Sequence, residues 1–289
     1  MGHNTNVYRI DNETTDDYLD MLNEGKKGKR RSQKQSAQQN NRRNKHHKLD
    51  TSSESIKTQH DIGVKKTITK HDIIQLTPKT ERQKDFLESY LSNCQLILQS
   101  GFAGTGKTTY SIYQALLTVL DPETPQNKII IIKSPESTND IGHLPGTIEE
   151  KQYAYEEPYS QIFSTILKFN NPYPILKELG IVEFRLTSFL RGLTLDGAVI
   201  ILDEFQNTDT SEIRTVLTRM GTNSRMVLCG DAKQDDIERK RRKSSFNYIN
   251  KLFALMPYGV TQTIKYEKDD CLRHDIIKFI LEADSQIED

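Results

Sequence analysis

Short apolar runs, separated by longer amphipathic segments, recur along the chain from about residue 77 onward. Helices are predicted where apolar positions recur every three or four residues, at about 81–91, 112–119, 210–220 and 245–255. Six short runs bounded by polar or turn-forming residues predict strands at 95–100, 129–132, 182–186, 198–202, 225–229 and 259–264. Strands joined by crossover-length segments predict an α/β fold, with a mostly parallel sheet and helices on both faces.

The interval 134–180 is the longest and least regular part of this pattern. Its aromatic residues are Tyr153, Tyr155, Tyr159, Phe163 and Tyr173. Aromatic side chains in such a segment either stack on nucleic-acid bases or pack into a core. Because tyrosines at helical spacing more often pack into a core, the core role is the more common of the two.

The first 66 residues show no sustained periodicity. Lys+Arg and Asp+Glu each total 40 in the whole chain, yet residues 25–48 contain no acidic residue and are rich in Lys, Arg, Gln and Asn. A segment with so little to bury is expected to be disordered. We therefore predict a disordered tail over 1–66, with a basic tract at 25–48, and one folded domain over 67–289. The tract either binds nucleic-acid phosphates or acts as a solubilising linker.

The remaining composition points to a soluble protein of a reducing compartment. Cys94, Cys229 and Cys271 have neither the spacing of a disulfide framework nor that of a zinc site. The sequence has no apolar run near the ~20 residues that span a bilayer, and its N-terminus lacks the apolar core of a signal peptide. A cytoplasmic location without membrane contact is the expectation.

A phosphate-binding loop lies between the first predicted strand and the helix that follows it. Residues 101–108 read G-x-x-x-x-G-K-T, in which backbone N–H groups surround phosphates, Lys107 reaches the β- and γ-phosphates, and Thr108 ligates Mg²⁺. The alternative is a Gly-rich turn without a ligand. The predicted cofactors are ATP and Mg²⁺, with nucleotide contacts from Gly101, Phe102, Ala103, Gly104, Thr105, Gly106, Lys107, Thr108 and Thr109.

Two adjacent carboxylates, Asp203 and Glu204, end the apolar strand at 198–202. Ligands of open α/β sheets bind at the carboxyl ends of strands, and successive strand residues point to opposite sides. We therefore expect Asp203 to hold Mg²⁺ and Glu204 to activate the water that attacks the γ-phosphate. The alternative is a pair that only caps the next helix.

Gly230-Asp231-x-x-Gln234 follows the strand at 225–229. An amide both donates and accepts hydrogen bonds, which suits a group that positions water, and Gln234 is therefore the candidate γ-phosphate sensor. Alone, Gly-Asp is also ordinary turn chemistry.

Together these motifs resemble PhoH-like proteins, ATPases of the phosphate-starvation type related to the first RecA-like domain of superfamily 1 helicases. The resemblance covers the chain from about Thr77 to its end. Besides the phosphate loop, it is carried by the motifs at residues 142–146, 190–194, 200–207, 218–221, 230–234 and 272–274. It implies a RecA-like P-loop NTPase fold, a contact of Gln83 with adenine, and a nucleic-acid strand facing Lys133-Ser134-Pro135. The family usually has Thr-Arg-Pro at that position and Arg at the position of Leu193.

Two further basic features bear on partners. Arg239 to Lys243 form a run that either binds nucleic acid or is a solvated surface. Arg273 is the candidate arginine finger, with a structural ion pair as the alternative. Only about 55 residues follow Gln234, too few for a second domain of ~100 residues. We therefore expect a homo-oligomeric ring, a hexamer, in which Arg273 acts in trans.

The sequence thus predicts a Mg²⁺-dependent ATPase, possessing Lys107, Glu204, Gln234 and Arg273 as catalytic residues and Thr108 and Asp203 as metal ligands. Its expected partner is single-stranded RNA, with DNA as the other candidate, and helicase-like remodelling is the expected use of hydrolysis. The alternatives are a regulatory nucleotide-binding protein without motor activity and a small-molecule kinase. A kinase needs an arginine-rich lid and has no need of Gly-Asp-x-x-Gln.

Overall fold

The computed structural model describes residues 67–92, 94–135, 148–231 and 245–273, with positions 276, 277, 279, 280 and 283; for 148–153 it describes the backbone only. The predicted tail, Gln234 and the basic run at 239–243 lie outside these residues. Among the helices of the described ranges, none combines the length and the apolar character that crossing a bilayer requires.

A six-stranded sheet in the order β3-β2-β4-β5-β1-β6 forms the centre of the fold. Every pairing between neighbouring strands is parallel. The strands are β1 (Leu96–Gly101), β2 (Lys128–Lys133), β3 (Val182–Leu186), β4 (Ala198–Asp203), β5 (Arg225–Gly230) and β6 (Thr261–Tyr266). Because all strands run in one direction, their carboxyl ends meet at one edge of the sheet.

Within the described ranges, α-helices connect or flank these strands. They are α1 (Glu81–Leu91), α2 (Lys107–Val119), α3 (Ile148–Ile166), α4 (Pro172–Glu178), α5 (Thr210–Leu217) and α6 (Ser245–Leu255). Thr80 caps α1 by accepting a hydrogen bond from the backbone of Gln83, and Asp209 caps α5 with two such bonds. These caps fix where the two helices begin.

The sheet separates two apolar cores. In β2, Ile129 and Ile131 face one core and Ile130 and Ile132 the other, and all four are fully buried. Such burial on both faces explains why the central strands read as continuous apolar runs. Helices α1 to α4 contribute to the first core, and α5 and α6 to the second.

These observations confirm the predicted fold class. The observed strands begin within two residues of the predicted positions, and α6 has the predicted bounds. The interval 134–180 differs, because it contains the 19-residue helix α3. Pro158 lies inside that helix, and an internal proline together with several charged residues hides the helical pattern. Its aromatic residues Tyr159, Phe163 and Tyr173 are buried in the first core, which confirms the core role.

Candidate functional site

A cleft of about 570 Å³ lies at the carboxyl edge of the sheet, within the range of small-molecule sites. The ends of the adjacent strands β4 and β5, together with the phosphate loop that follows β1, form its floor, and α3 forms one wall. Its lining comprises residues 103–109, Pro158, Tyr159, Gln161, Ile162, Thr165, Asp203, Glu204, Gln206, residues 229–231 and Arg273. The phosphate loop and the paired carboxylates, far apart in sequence, therefore share one site.

The phosphate loop joins β1 to the N-terminus of α2. Lys107 donates hydrogen bonds of 2.7 Å to the backbone carbonyls of both Gly101 and Phe102. These two residues lie outside the cleft lining, whereas Ala103 to Thr109 line it. Burial lowers the pKa of Lys107, partly offset by nearby acidic groups. The ammonium is thus held at the loop, where a triphosphate would accept the hydrogen bonds now made to carbonyls.

Asp203 occupies the floor of the cleft and accepts two hydrogen bonds. Thr108 donates to its Oδ1 at 2.7 Å, and the hydroxyl of Tyr159 donates to its Oδ2 at 3.0 Å. Burial raises the pKa of Asp203, and the two hydrogen bonds oppose that shift. Burial and the neighbouring Asp203 carboxylate raise the pKa of Tyr159, which keeps the phenol a donor.

The donor set around Asp203 fits Mg²⁺. Thr108 and Asp203 supply hard oxygen atoms on one side of the cleft, and Mg²⁺ in nucleotide sites takes one or two protein oxygens together with phosphates and waters. The described residues contain no cluster of three or more His, Cys, Asp or Glu side chains that would form a cage for a metal. The arrangement therefore suits a metal that arrives with a nucleotide.

Glu204 follows Asp203 with a left-handed backbone, φ 50°. This conformation is uncommon for a residue other than glycine and is frequent at functional sites. The 3₁₀ turn Phe205–Asn207 begins directly after it, and Phe205 is fully buried. The Glu204 carboxylate lies 2.7 Å from the ammonium of Lys133 at the end of β2. Buried Phe205 thus fixes the backbone that carries this carboxylate.

Gln206 links the carboxylate strand to the next strand. Its side-chain Oε1 accepts a hydrogen bond of 3.1 Å from the backbone N–H of Asp231. A Cβ atom added at Gly230 would lie 2.6 Å from the Phe205 ring. Glycine is therefore required at this point of contact. The close approach places Asp231 in the cleft beside β4, and Gln234 lies outside the described residues.

Gln83 lies behind the phosphate loop. Its side chain is buried, donates a 3.0 Å hydrogen bond to the carbonyl of Thr105, and accepts one of 2.8 Å from the backbone of Lys79. Both polar ends are occupied by backbone, and Gln83 does not line the cleft. The observed role is to support the phosphate loop from behind, which does not favour the predicted contact with adenine.

Arg273 lines the cleft of its own chain. A Cβ atom added at Gly104 would lie 2.9 Å from the Arg273 side chain, and the backbone of Leu272 donates a hydrogen bond to the Gly104 carbonyl. Gly104 has φ 79°, a conformation that glycine adopts without strain. This placement favours action within one subunit over the predicted action in trans.

Three contributions to the site were missed by sequence reasoning. Tyr159 was noticed as an aromatic residue, but its hydroxyl could not be assigned to Asp203 without the position of α3. The resemblance implies that Lys133 faces a nucleic-acid strand, but no sequence pattern indicated its observed ion pair with Glu204. Gln206 belongs to the motif at residues 200–207, and an amide two residues after the candidate carboxylate Glu204 is the sequence signal that would have identified it.

Comparisons with known proteins identify the family to which this chain is similar. The model of the PhoH-like protein family matches residues 75–284. A PhoH-like protein of Bacillus subtilis is 31% identical over 207 residues, covering 71% of this chain and 62% of that protein. Protein PhoH of Escherichia coli K12 is 29% identical over 215 residues, covering 73% of this chain and 59% of that protein. This chain thus spans about three fifths of the length of these relatives.

A solved Walker-type ATPase of Pyrococcus abyssi matches 70% of this chain and 57% of its own, at 16% identity and a TM-score of 0.25, too weak a likeness to support any conclusion. The family match covers most of the chain and contains the phosphate loop, both carboxylates and Arg273. It therefore describes a P-loop nucleotide-binding protein, and the chain belongs to the PhoH-like protein family.

Proposed function

We propose that this protein hydrolyses ATP in a Mg²⁺-dependent reaction and couples hydrolysis to a single-stranded nucleic acid, RNA in the first instance. The observation that carries the proposal is the grouping of Thr108, Asp203 and Glu204 beside the phosphate loop. Thr108 and Asp203 are in contact at 2.7 Å. Glu204 follows at the end of the same strand and lines the same cleft. A kinase would need no second carboxylate to act on water.

The residues that line the cleft divide the tasks of this reaction. The loop N–H groups and Lys107 bind the phosphates and balance their charge. Thr108 and Asp203 would hold Mg²⁺, which neutralises charge that develops on the phosphate oxygens. Glu204 accepts a proton from water as the water oxygen bonds to the γ-phosphorus. The bond from that phosphorus to the bridging oxygen breaks, which yields ADP and inorganic phosphate.

Exposed positive and apolar side chains support the proposed binding of nucleic acid and the expected assembly of the protein into a ring. Arg191 and Phe189 are exposed after β3, at the same edge of the sheet as the cleft. Leu272, Ile276, Phe279 and Ile280 are large apolar side chains that are exposed close in sequence to Arg273. Exposed apolar groups concentrated in one region are typical of protein interfaces. We propose that this region contacts a neighbouring subunit of a ring.

ATP turnover with and without single-stranded RNA and DNA tests the reaction. The proposal expects Mg²⁺-dependent phosphate release that rises when a strand is added. Nucleotide binding without turnover under any condition would instead support a regulatory protein. The mass in solution with ATP tests the ring, and a strict monomer would refute it.

A mixing experiment tests where Arg273 acts. Arg273→Ala chains and Glu204→Gln chains are each expected to be inactive. Because Arg273 lies against Gly104 of its own chain, we expect mixtures of the two to stay inactive. Recovery of turnover in mixtures would show action in trans, as the sequence analysis predicted.

A further inference from the structure

The Glu204 side chain forms an ion pair with a lysine of β2, which lies on the side of β4 opposite to the phosphate-loop strand. The Lys133 ammonium lies 2.7 Å from the Glu204 carboxylate, and the Lys133 side chain is 13% exposed against 41% for Glu204. Lys133 ends β2 and is in register with Asp203 of β4. In the sheet order, β2 and the phosphate-loop strand β1 lie on opposite sides of β4. The ion pair therefore draws the carboxylate away from the phosphate loop.

This ion pair opposes the role proposed for Glu204. The paired carboxylate is directed toward the end of β2 rather than toward the phosphate loop, where the attacking water would lie. The backbone of Glu204 is fixed in the left-handed region, so a change must come from the side chain. Because the carboxylate is partly exposed, a competing anion can approach the pair from solvent.

The surface next to Lys133 has features that bind single-stranded nucleic acid, whose phosphates would be such anions. Beyond Lys133, the adjacent strand β3 leads into the turn Thr187–Phe189, where Phe189 is 57% exposed, and then to exposed Arg191. Aromatic faces combined with cations are the usual means of binding single-stranded nucleic acid. We call Lys133, Phe189 and Arg191 the β2–β3 shelf.

One acidic residue, Glu212, connects the two chain segments that form this shelf. Glu212 of α5 accepts hydrogen bonds from Ser134, at 3.4 Å, and from Thr187, at 3.2 Å. These bonds tie the segment after β2 to the segment after β3. A strand that contacts Phe189 and Arg191 would thus lie beside the end of β2, where Lys133 is.

We propose that Lys133 is a positioning residue for Glu204 through which a bound nucleic-acid strand controls ATP hydrolysis. A phosphodiester of the strand takes the Lys133 ammonium and releases the carboxylate to accept a proton from the attacking water. Without a strand, the ion pair keeps turnover low. This inference rests on the proposed function and adds to it how the nucleic acid acts on the site.

The test compares full-length variants for ATP turnover and nucleotide affinity, each with no strand, with oligo(U) RNA and with oligo(dT) DNA. Lys133→Met removes the cation, Lys133→Arg keeps it, and Lys251→Met is a matched control at an exposed lysine of α6. We expect Lys133→Met to raise strand-free turnover at least fivefold and to abolish further stimulation, with unchanged nucleotide affinity. Lys133→Arg should retain low basal turnover and stimulation, and Lys251→Met should match the wild type.

Several results would overturn the proposal. Strand-free turnover of Lys133→Met at or below that of the wild type would show that Lys133 does not restrain Glu204, and stimulation that persists in this variant would show that the strand acts elsewhere. If Lys133→Met melts well below the wild type, Lys133→Gln carries the same expectations. Stimulation of the wild type by either strand supports the proposal and identifies the strand.

Failure of this inference can be told from failure of the proposed function. A wild type that releases no phosphate from ATP under any condition defeats both. A wild type that hydrolyses ATP but responds to neither RNA nor DNA defeats the nucleic-acid coupling while leaving the ATPase in place.

Discussion

Replacing Gln83 with alanine separates its two interpretations, a support for the phosphate loop or a contact with adenine. The Gln83 amide donates to the buried carbonyl of Thr105 and accepts from the backbone of Lys79. Thr105 is fully buried, so its carbonyl would lose a partner that water does not replace. Such a loss costs about 1–3 kcal/mol, and truncation of the side chain adds to it. We expect a total of about 2–4 kcal/mol.

For a domain of roughly 200 residues, this free energy lowers the melting temperature by about 4–16 °C. A loosened loop also binds nucleotide less well, by a factor of roughly 5–30 for ~1–2 kcal/mol. Because the loop contacts phosphates, ATP and GTP should be weakened by the same factor. Thermal denaturation and binding of fluorescent ATP and GTP analogues measure both effects. Gln262→Ala, at an exposed position of β6, is the matched control.

One result would refute this account of Gln83. If Gln83→Ala left the melting temperature unchanged and lost only its preference between ATP and GTP, the side chain would contact the base. A contact with the base changes discrimination between purines, whereas a support behind the loop does not.

Three further predictions concern the floor of the cleft. Tyr159→Phe removes a donor to Asp203, and we expect the Mg²⁺ concentration that half-saturates nucleotide binding to rise about tenfold or more; an unchanged Mg²⁺ titration would contradict the assigned role. Gly230→Ala places a Cβ 2.6 Å from the Phe205 ring, so chemical denaturation should show a loss of about 1–3 kcal/mol, and wild-type stability would contradict the contact. Burial raises the pKa of Cys229 to about 12, which leaves roughly one thiolate in ten thousand at pH 8. Native protein should therefore resist alkylation of Cys229 by iodoacetamide, as seen by mass spectrometry, whereas labelling as fast as in denaturant would refute its burial.

The sheet was predictable from sequence because burial on both faces leaves a direct mark on composition. Ile129 to Ile132 read as a strand for the same reason that they are buried. Helix α3 was not predictable in this way, since Pro158 and the charged residues around it obscure its periodicity. Its existence depends on packing of Tyr159 and Phe163 against the sheet, a tertiary effect that local patterns do not contain.

In the candidate site, too, some residues could be identified from the sequence whereas contacts between distant segments could not. Lys107, Thr108, Asp203 and Glu204 could be identified because a phosphate loop and a strand end impose fixed spacing along the chain. Contacts between distant segments leave no such spacing. The link from Lys133 to Glu204 depends on β2 lying beside β4, although their ends are about 70 residues apart in sequence. For the same reason, Gln83 and Arg273 could be placed near the loop but not oriented.

The central claim is that Glu204 activates water for hydrolysis of ATP bound at this cleft. The most direct test is phosphate release from ATP by the wild type and by Glu204→Gln, with Mg²⁺ and with nucleotide affinity measured for both. The account predicts Mg²⁺-dependent turnover by the wild type. It predicts that Glu204→Gln binds ATP comparably but turns over about 10²–10⁴-fold more slowly. Full turnover by Glu204→Gln, or none by the wild type, would contradict it.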